Sequence, residues 1–169
     1  FSPQSPKAKL TVVSPLGTAQ KPFGKIRVIH DLSHGKSIYR SVNYFIPPEE
    51  TFVEYIQTQL IVRTIASLGI GAYLWVVDMA EAYRRVLVHH AFHRFLGFRF
   101  DNLIFQYACL PFGMSSSPKI YSDFAECLRQ IVINSYSELY ILDETEVLLN
   151  YLDDFFAGHS SFAIAHTQF

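Results

Sequence analysis

Tyr151-Leu152-Asp153-Asp154 interrupts an otherwise apolar run, with Val147-Leu148-Leu149-Asn150 before it and Phe155-Phe156-Ala157-Gly158 after it. Two adjacent carboxylates therefore stand between two strand-like halves. Neighbouring anions repel, and beside an apolar core their charge is costly unless a positive group compensates it. A hard divalent cation such as magnesium does this well, because it prefers oxygen ligands. Aspartate is also a common turn former, so the stretch taken alone reads equally as a solvated turn. The rest of the chain decides between the two.

The 169 residues suffice for one domain with a core, or for part of a larger one. A hydrophobic content of 50% argues against disorder. Phe1 is not a start methionine, and the expectation is a piece of a longer polypeptide. No signal peptide and no membrane-spanning stretch is legible, which predicts an intracellular protein with no membrane partner. Cys109 and Cys127 make neither a disulfide framework nor a zinc site, and read as buried thiols of a reducing compartment. The net charge of -1 excludes a uniformly basic nucleic-acid binder. The distribution is uneven, however. Residues 1–40 hold Lys7, Lys9, Lys21, Lys25, Arg27, Lys36 and Arg40 against Asp31 alone, and the remainder is acidic. A basic head on an acidic body suits an anion such as phosphate, or is a solvated basic loop.

Residues 1–22 read as extended or loop-like, with a short strand at Leu10-Thr11-Val12-Val13. Lys25-Ile26-Arg27-Val28-Ile29-His30 alternates, with Lys25, Arg27 and Ile29 on one face and Ile26, Val28 and His30 on the other, the pattern of a strand. After Pro47-Pro48, Thr51 with Glu54 has capping-box spacing and predicts a helix from Phe52 that stops at Gly69. Gly71 to Asp78 reads as a buried strand ending in a carboxylate. His89, His90 and His93 lack a Cys or acidic partner and read as a surface turn. Phe95 to Cys109 reads as a hairpin turning at Asp101-Asn102. Ser117 is the expected N-cap of a helix with Pro118 at its first position. Residues 134–146 contain no basic residue and read as a connecting excursion, and a further helix is expected from Ser161. The order predicts an α+β fold of split β-α-β type, an antiparallel sheet with helices on one face, in which Asp78, Asp153 and Asp154 meet.

From about Ser14 to Gly158 these pieces resemble the fingers and palm of a reverse transcriptase. Four ordered blocks carry the likeness: Lys25 to Ser33 with Ser41-Val42-Asn43; Val77-Asp78-Met79-Ala80-Glu81-Ala82-Tyr83; Leu110-Pro111-Phe112-Gly113-Met114-Ser115-Ser116-Ser117-Pro118; and Tyr151-Leu152-Asp153-Asp154. Each is weak alone, and the order and spacing make them specific. Ile-His-Asp-Leu-Ser followed by Leu-Pro-Phe-Gly is closer in style to retrotransposons, the tyrosine-recombinase kind, than to retroviruses.

The resemblance implies partial fingers over residues 1–50. A partial palm with the remaining fingers segments would cover 51–169, truncated before the thumb. It implies an RNA-directed DNA polymerase that adds deoxynucleoside triphosphates to a primer 3′-hydroxyl on an RNA or DNA template. Asp78, Asp153 and Asp154, with the backbone carbonyl of Met79, would hold two magnesium ions, or manganese in their place. Lys21, Lys25 and Arg27 would meet the triphosphate. Ala82, Tyr83, Phe112 and Gly113 would line the nucleotide pocket, with Tyr83 placed to exclude a ribose 2′-hydroxyl. Tyr151 would support the primer end. Retroviral members commonly carry Gln where Phe112 stands, so amide contacts there do not carry over. The thumb and any nuclease, integrase or recombinase region of a polyprotein would lie outside the sequence, and the fragment alone is expected to synthesise weakly or not at all. The alternative is a non-catalytic reverse-transcriptase-like module, decayed or domesticated, that binds nucleic acid or protein.

Overall fold

The computed structural model describes residues 2–3, 11–35, 40–139 and 147–159. The chain divides into two compact units, Phe1–Phe52 with Glu81–Ile120 and Val53–Ala80 with Tyr121–Phe169. The fold mixes helices with antiparallel sheets, as the α+β expectation requires.

In the first unit, β2 (Leu16–Gln20) and β3 (Ile26–His30) form an antiparallel hairpin in which Ala19 faces Arg27. β3 forms where the sequence pattern predicts a strand, although Ile26 and Val28 are exposed along with Arg27 and only Ile29 and His30 are covered. Of the strand expected at Leu10–Val13, Leu10 lies outside the described residues and no strand forms over Thr11–Val13. Val13 makes only an isolated bridge to Gly97. The strand that pairs with β3 comes later, at Leu16. Its sequence Leu-Gly-Thr-Ala-Gln has weak strand propensity, so pairing imposes its conformation.

A second sheet has the order β1 (Ser2–Pro3), β6 (Leu103–Gln106), β5 (Gly97–Phe100). Asp101 and Asn102 both have positive φ, 47° and 60°, the signature of the two-residue type I′ turn expected between β5 and β6. The histidine segment is a 3-10 helix, His90–Phe95, and its imidazoles do structural work. His89 Nδ1 accepts from the Ala91 N–H, and His93 Nε2 bonds the Val88 carbonyl at 2.7 Å. Leu32, His30, Leu96, Phe98, Leu110 and Pro111 are buried in this unit.

In the second unit, β4 (Tyr73–Asp78), β8 (Asp154–His159) and β7 (Val147–Tyr151) form one antiparallel sheet in the order β4-β8-β7. β4 was expected to be buried, yet Leu74, Val76 and Val77 are exposed. β4 is the outer strand in this order, and these side chains project from the sheet faces without being covered by the described residues.

The helix expected from Phe52 starts six residues late: α1 is Thr58–Leu68, capped without a side-chain bond by Gln57. Thr51 is not an N-cap. Pro48–Glu50 forms a 3-10 turn, and the Thr51 hydroxyl donates to the Pro48 carbonyl instead. Phe52, Val53 and Tyr55 are modest helix formers and do not extend α1 backward. Its stop is where the sequence placed it. Gly69 has φ 83° and donates to Ala66, a conformation costly for any residue with a Cβ.

α2 is Ala82–Arg85, and α3 is Ser117–Leu139. Ser117 lies inside α3, where its hydroxyl donates to the Pro111 carbonyl at 2.9 Å and does not cap the helix. The expected excursion from 134 is helical through Leu139, and residues 140–146, like the helix expected from Ser161, lie outside the described residues. Cys109 is half-buried and Cys127 exposed on α3; both are free, against the expectation of buried thiols. No helix of the described residues is long and apolar enough to cross a membrane.

Candidate active site

The aspartates belong to the second unit. β4 and β8 pair along their full length, and their last pair is Asp78 with Asp154. Directly opposed residues of an antiparallel pair project from the same face of the sheet, with Cβ atoms roughly 5 Å apart. β7 and β8 close on Tyr151 opposite Asp154, so Leu152 and Asp153 form a two-residue turn. Leu152 takes φ 53° and Asp153 does not have positive φ, the sign pattern of a type II′ hairpin turn. A leucine is an unfavourable residue there, and the two flanking strands hold it in place. The Met79 N–H donates to the Asp153 carbonyl at 2.8 Å, which ties the turn to the exit of β4. Tyr55, in the stretch before α1, sets its ring 5.2 Å from that of Tyr151.

The three carboxylates have no ion-pair partner among the described residues. Desolvation raises the Asp154 carboxyl above its ordinary value, and the charges of Asp153 and then Asp78 add to it. The side chain still faces solvent. An all-oxygen anionic donor set of this kind suits a hard divalent cation. It is not a closed cage: among the described residues no three His, Cys, Asp or Glu groups are gathered closely enough to hold an ion. The chemistry of the donors fits magnesium, and the side chains stand open.

The residues expected around a nucleotide belong to the first unit. The Arg27 guanidinium lies 4.6 Å above the Phe112 ring, and the Phe112 and Tyr83 rings are 4.9 Å apart. Tyr83 rides on α2, whose N-cap Glu81 is left-handed at φ 57°, and Ala82 before it is buried. The stack therefore joins β3, α2 and the 110–117 loop. Lys21 and Lys25 stand exposed where the β2–β3 hairpin turns, with the Lys21 N–H donating to the Lys25 carbonyl at 2.7 Å. They take no part in the stack.

The loop is tightly held. The His30 N–H donates to the Phe112 carbonyl at 2.8 Å. Gly113 has φ 114°, and a Cβ there would meet the His30 carbonyl oxygen at 1.9 Å, so only glycine fits. Asn43 also binds the loop. Its Nδ2 donates to the Gly113 carbonyl and to Ser33 Oγ, both at 2.8 Å, and its Oδ1 accepts from the Ser115 N–H at 3.0 Å. Sequence reasoning quoted Asn43 and gave it no role. No sequence signal short of a structure pairs it with a loop 70 residues away.

No protein-family model matches the sequence, and no curated protein matches it. Solved structures do. The foamy viral protease-reverse transcriptase in complex with double-stranded DNA is similar at TM-score 0.64 and 17% identity, over 99% of this chain and 24% of that one. The native prototype foamy virus protease-reverse transcriptase is similar at TM-score 0.61 and 19% identity, over 99% of this chain and 19% of that one. The chain thus spans a quarter or less of the proteins it resembles, and it has a reverse-transcriptase-like fold.

Proposed function

We propose that this chain carries the palm and part of the fingers of an RNA-directed DNA polymerase of retrotransposon type. The observation that carries the reading is the pairing of Asp78 with Asp154 at the end of one ladder, with Asp153 in the adjoining turn. Three anions without a cationic side chain are unfavourable by themselves. Bound divalent cations would compensate them.

Asp78, Asp153 and Asp154, with the Met79 carbonyl, would hold two magnesium ions, or manganese. Held there, the ions would supply Lewis-acid activation of a hydroxyl and charge neutralisation of a triphosphate. The protein's own part is to aim the ligands. The ladder fixes Asp78 and Asp154 on one face, and the bond from Met79 to the Asp153 carbonyl fixes the turn. The Tyr55–Tyr151 contact braces Tyr151, the residue assigned to the primer end.

Nucleotide recognition falls to Arg27, Ala82, Tyr83, Phe112 and Gly113, with Lys21 and Lys25 adding positive charge for the triphosphate. The Arg27 guanidinium carbon lies over the Phe112 ring, a cation–π contact made without an acidic partner among the described residues. A ring at Tyr83, backed by Phe112, would exclude a 2′-hydroxyl and favour deoxynucleotides. Template, primer and deoxynucleoside triphosphates are the implied partners, and one structural neighbour was solved with double-stranded DNA.

The second reading is a non-catalytic reverse-transcriptase-like module that binds nucleic acid or protein. Extension of a primed RNA template by the protein at its full natural length separates the two. Magnesium-dependent incorporation of deoxynucleotides supports the polymerase, and template binding without extension supports the module.

A further inference from the structure

We infer that Asn43 is a positioning residue for nucleotide discrimination: it fixes the Phe112–Ser115 loop and thereby the Phe112 ring against Tyr83 and Arg27. The inference rests on the nucleotide-pocket reading above.

Asn43 has two amide donors and one carbonyl acceptor in its side chain. All three are engaged, with Ser33 Oγ, the Gly113 carbonyl and the Ser115 N–H. Its backbone is anchored independently, because the Asn43 N–H donates to the carbonyl of Leu32, a fully buried residue. The side chain is therefore a rigid bracket between the 31–33 turn and the loop. On the loop, the neighbouring holds are the His30 N–H on the Phe112 carbonyl and the Ser117 hydroxyl on the Pro111 carbonyl. Asn43 supplies the two holds on the far side of Phe112.

The loop has little room to compensate for losing them. Gly113 already passes so close to His30 that a Cβ has no place, so the backbone can move only away from β3. The Phe112 ring moves with it. That ring touches Arg27 on one partner and Tyr83 on another, at 4.6 and 4.9 Å. A shift of the loop is thus felt at the cation assigned to the triphosphate and at the ring assigned to the sugar. Asn43 touches neither substrate group itself and acts through the loop.

The test is single-nucleotide incorporation on a primed RNA template by the protein at its full natural length, comparing Asn43→Ala, Asn43→Asp and Ser33→Ala with the wild type. Asn43→Ala leaves the Gly113 carbonyl and the Ser115 N–H without their side-chain partner. Asn43→Asp keeps the shape and the acceptor but turns an oxygen toward the Gly113 carbonyl. Ser33→Ala removes one hydrogen bond of Asn43 while sparing both loop contacts, and so controls for stability alone.

A lost neutral hydrogen bond converts to roughly a three- to tenfold effect. The expected result is that rise in deoxynucleotide KM for both Asn43 variants, with kcat within about twofold, and a comparable loss of discrimination against ribonucleotides. Ser33→Ala stays within about twofold of wild type on each. If Asn43→Ala does not fold, the isosteric Asn43→Asp is read in its place. Asn43 variants that melt earlier yet keep wild-type KM and discrimination overturn the inference alone. A wild type that extends no primer overturns the pocket reading and this inference with it.

Discussion

Asp78 and Asp154 face each other across the last rung of the β4–β8 ladder, two like charges on one face of one sheet. Opposed like charges destabilise an antiparallel pair by a few tenths of a kcal/mol. Asp154→Asn should therefore raise the stability of the metal-free protein by about 0.5 kcal/mol at low ionic strength, with the gain fading in high salt. Chemical denaturation at two salt concentrations reads it. A variant less stable than wild type would show that the pair is not repulsive.

The raised pKa of Asp154 sets the sign of the pH dependence of cation binding. A carboxyl that holds its proton to higher pH must release it to become a ligand. Cation affinity should fall as pH drops through that raised value, with protons released on binding. Calorimetric titration of magnesium or manganese in buffers of different ionisation enthalpy measures the release, and a buffer-independent heat at acidic pH would exclude Asp154 as a ligand.

His30 makes the stability of the fold itself depend on pH. It is fully buried, stacked on Tyr107 at 5.3 Å, and bonded through Nε2 to the Gly97 carbonyl. Burial lowers its pKa from the ordinary 6.5, although contacts with the Gly97 and Ser14 backbone and the charge of Asp31 oppose the shift. The unfolded chain binds the proton first, so stability is full above pH 6.5 and is lost as pH falls through the window below it. Denaturant midpoints at pH 7.5 and 5.5 should differ in wild type, and by less in His30→Phe. An equal difference in both would place the titrating group elsewhere.

Gly113→Ala tests how tightly the 110–117 loop is held against β3. The new Cβ would overlap the His30 carbonyl at a backbone angle L residues rarely adopt. The expected cost is about 2 kcal/mol or more. Thermal unfolding checks it, and a variant as stable as wild type would mean that the loop lies farther from β3.

Much of this was legible in the sequence. Alternation placed β3, the apolar run placed β4, and Asp101-Asn102 placed the β5–β6 turn, because strand period and turn chemistry are local. The helix between the two carboxylate strands was enough to expect Asp78 beside Asp153 and Asp154, and the register pairs Asp78 with Asp154. What escaped was non-local. β2 exists because β3 offers it an edge. α1 begins late because Pro48 draws Thr51 into a 3-10 turn. Asn43 finds its partners 70 and 72 residues away. The left-handed Leu152 has no sequence signal either, since leucine is the last residue a turn rule would place there.

The sugar assignment stands on Tyr83. Replacing it with alanine should raise ribonucleotide incorporation by at least about tenfold while deoxynucleotide incorporation falls less, because a ring that excludes a 2′-hydroxyl acts by clash. Competition between the two nucleotide classes on one primed template measures this. Unchanged discrimination would remove Tyr83 from the pocket.

The most direct measurement is primer extension on an RNA template by the full-length protein with magnesium, comparing wild type with Asp153→Asn after both are shown to be folded. The polymerase reading predicts deoxynucleotide extension that requires the cation and is lost in the variant. Extension by Asp153→Asn at the wild-type rate would contradict it.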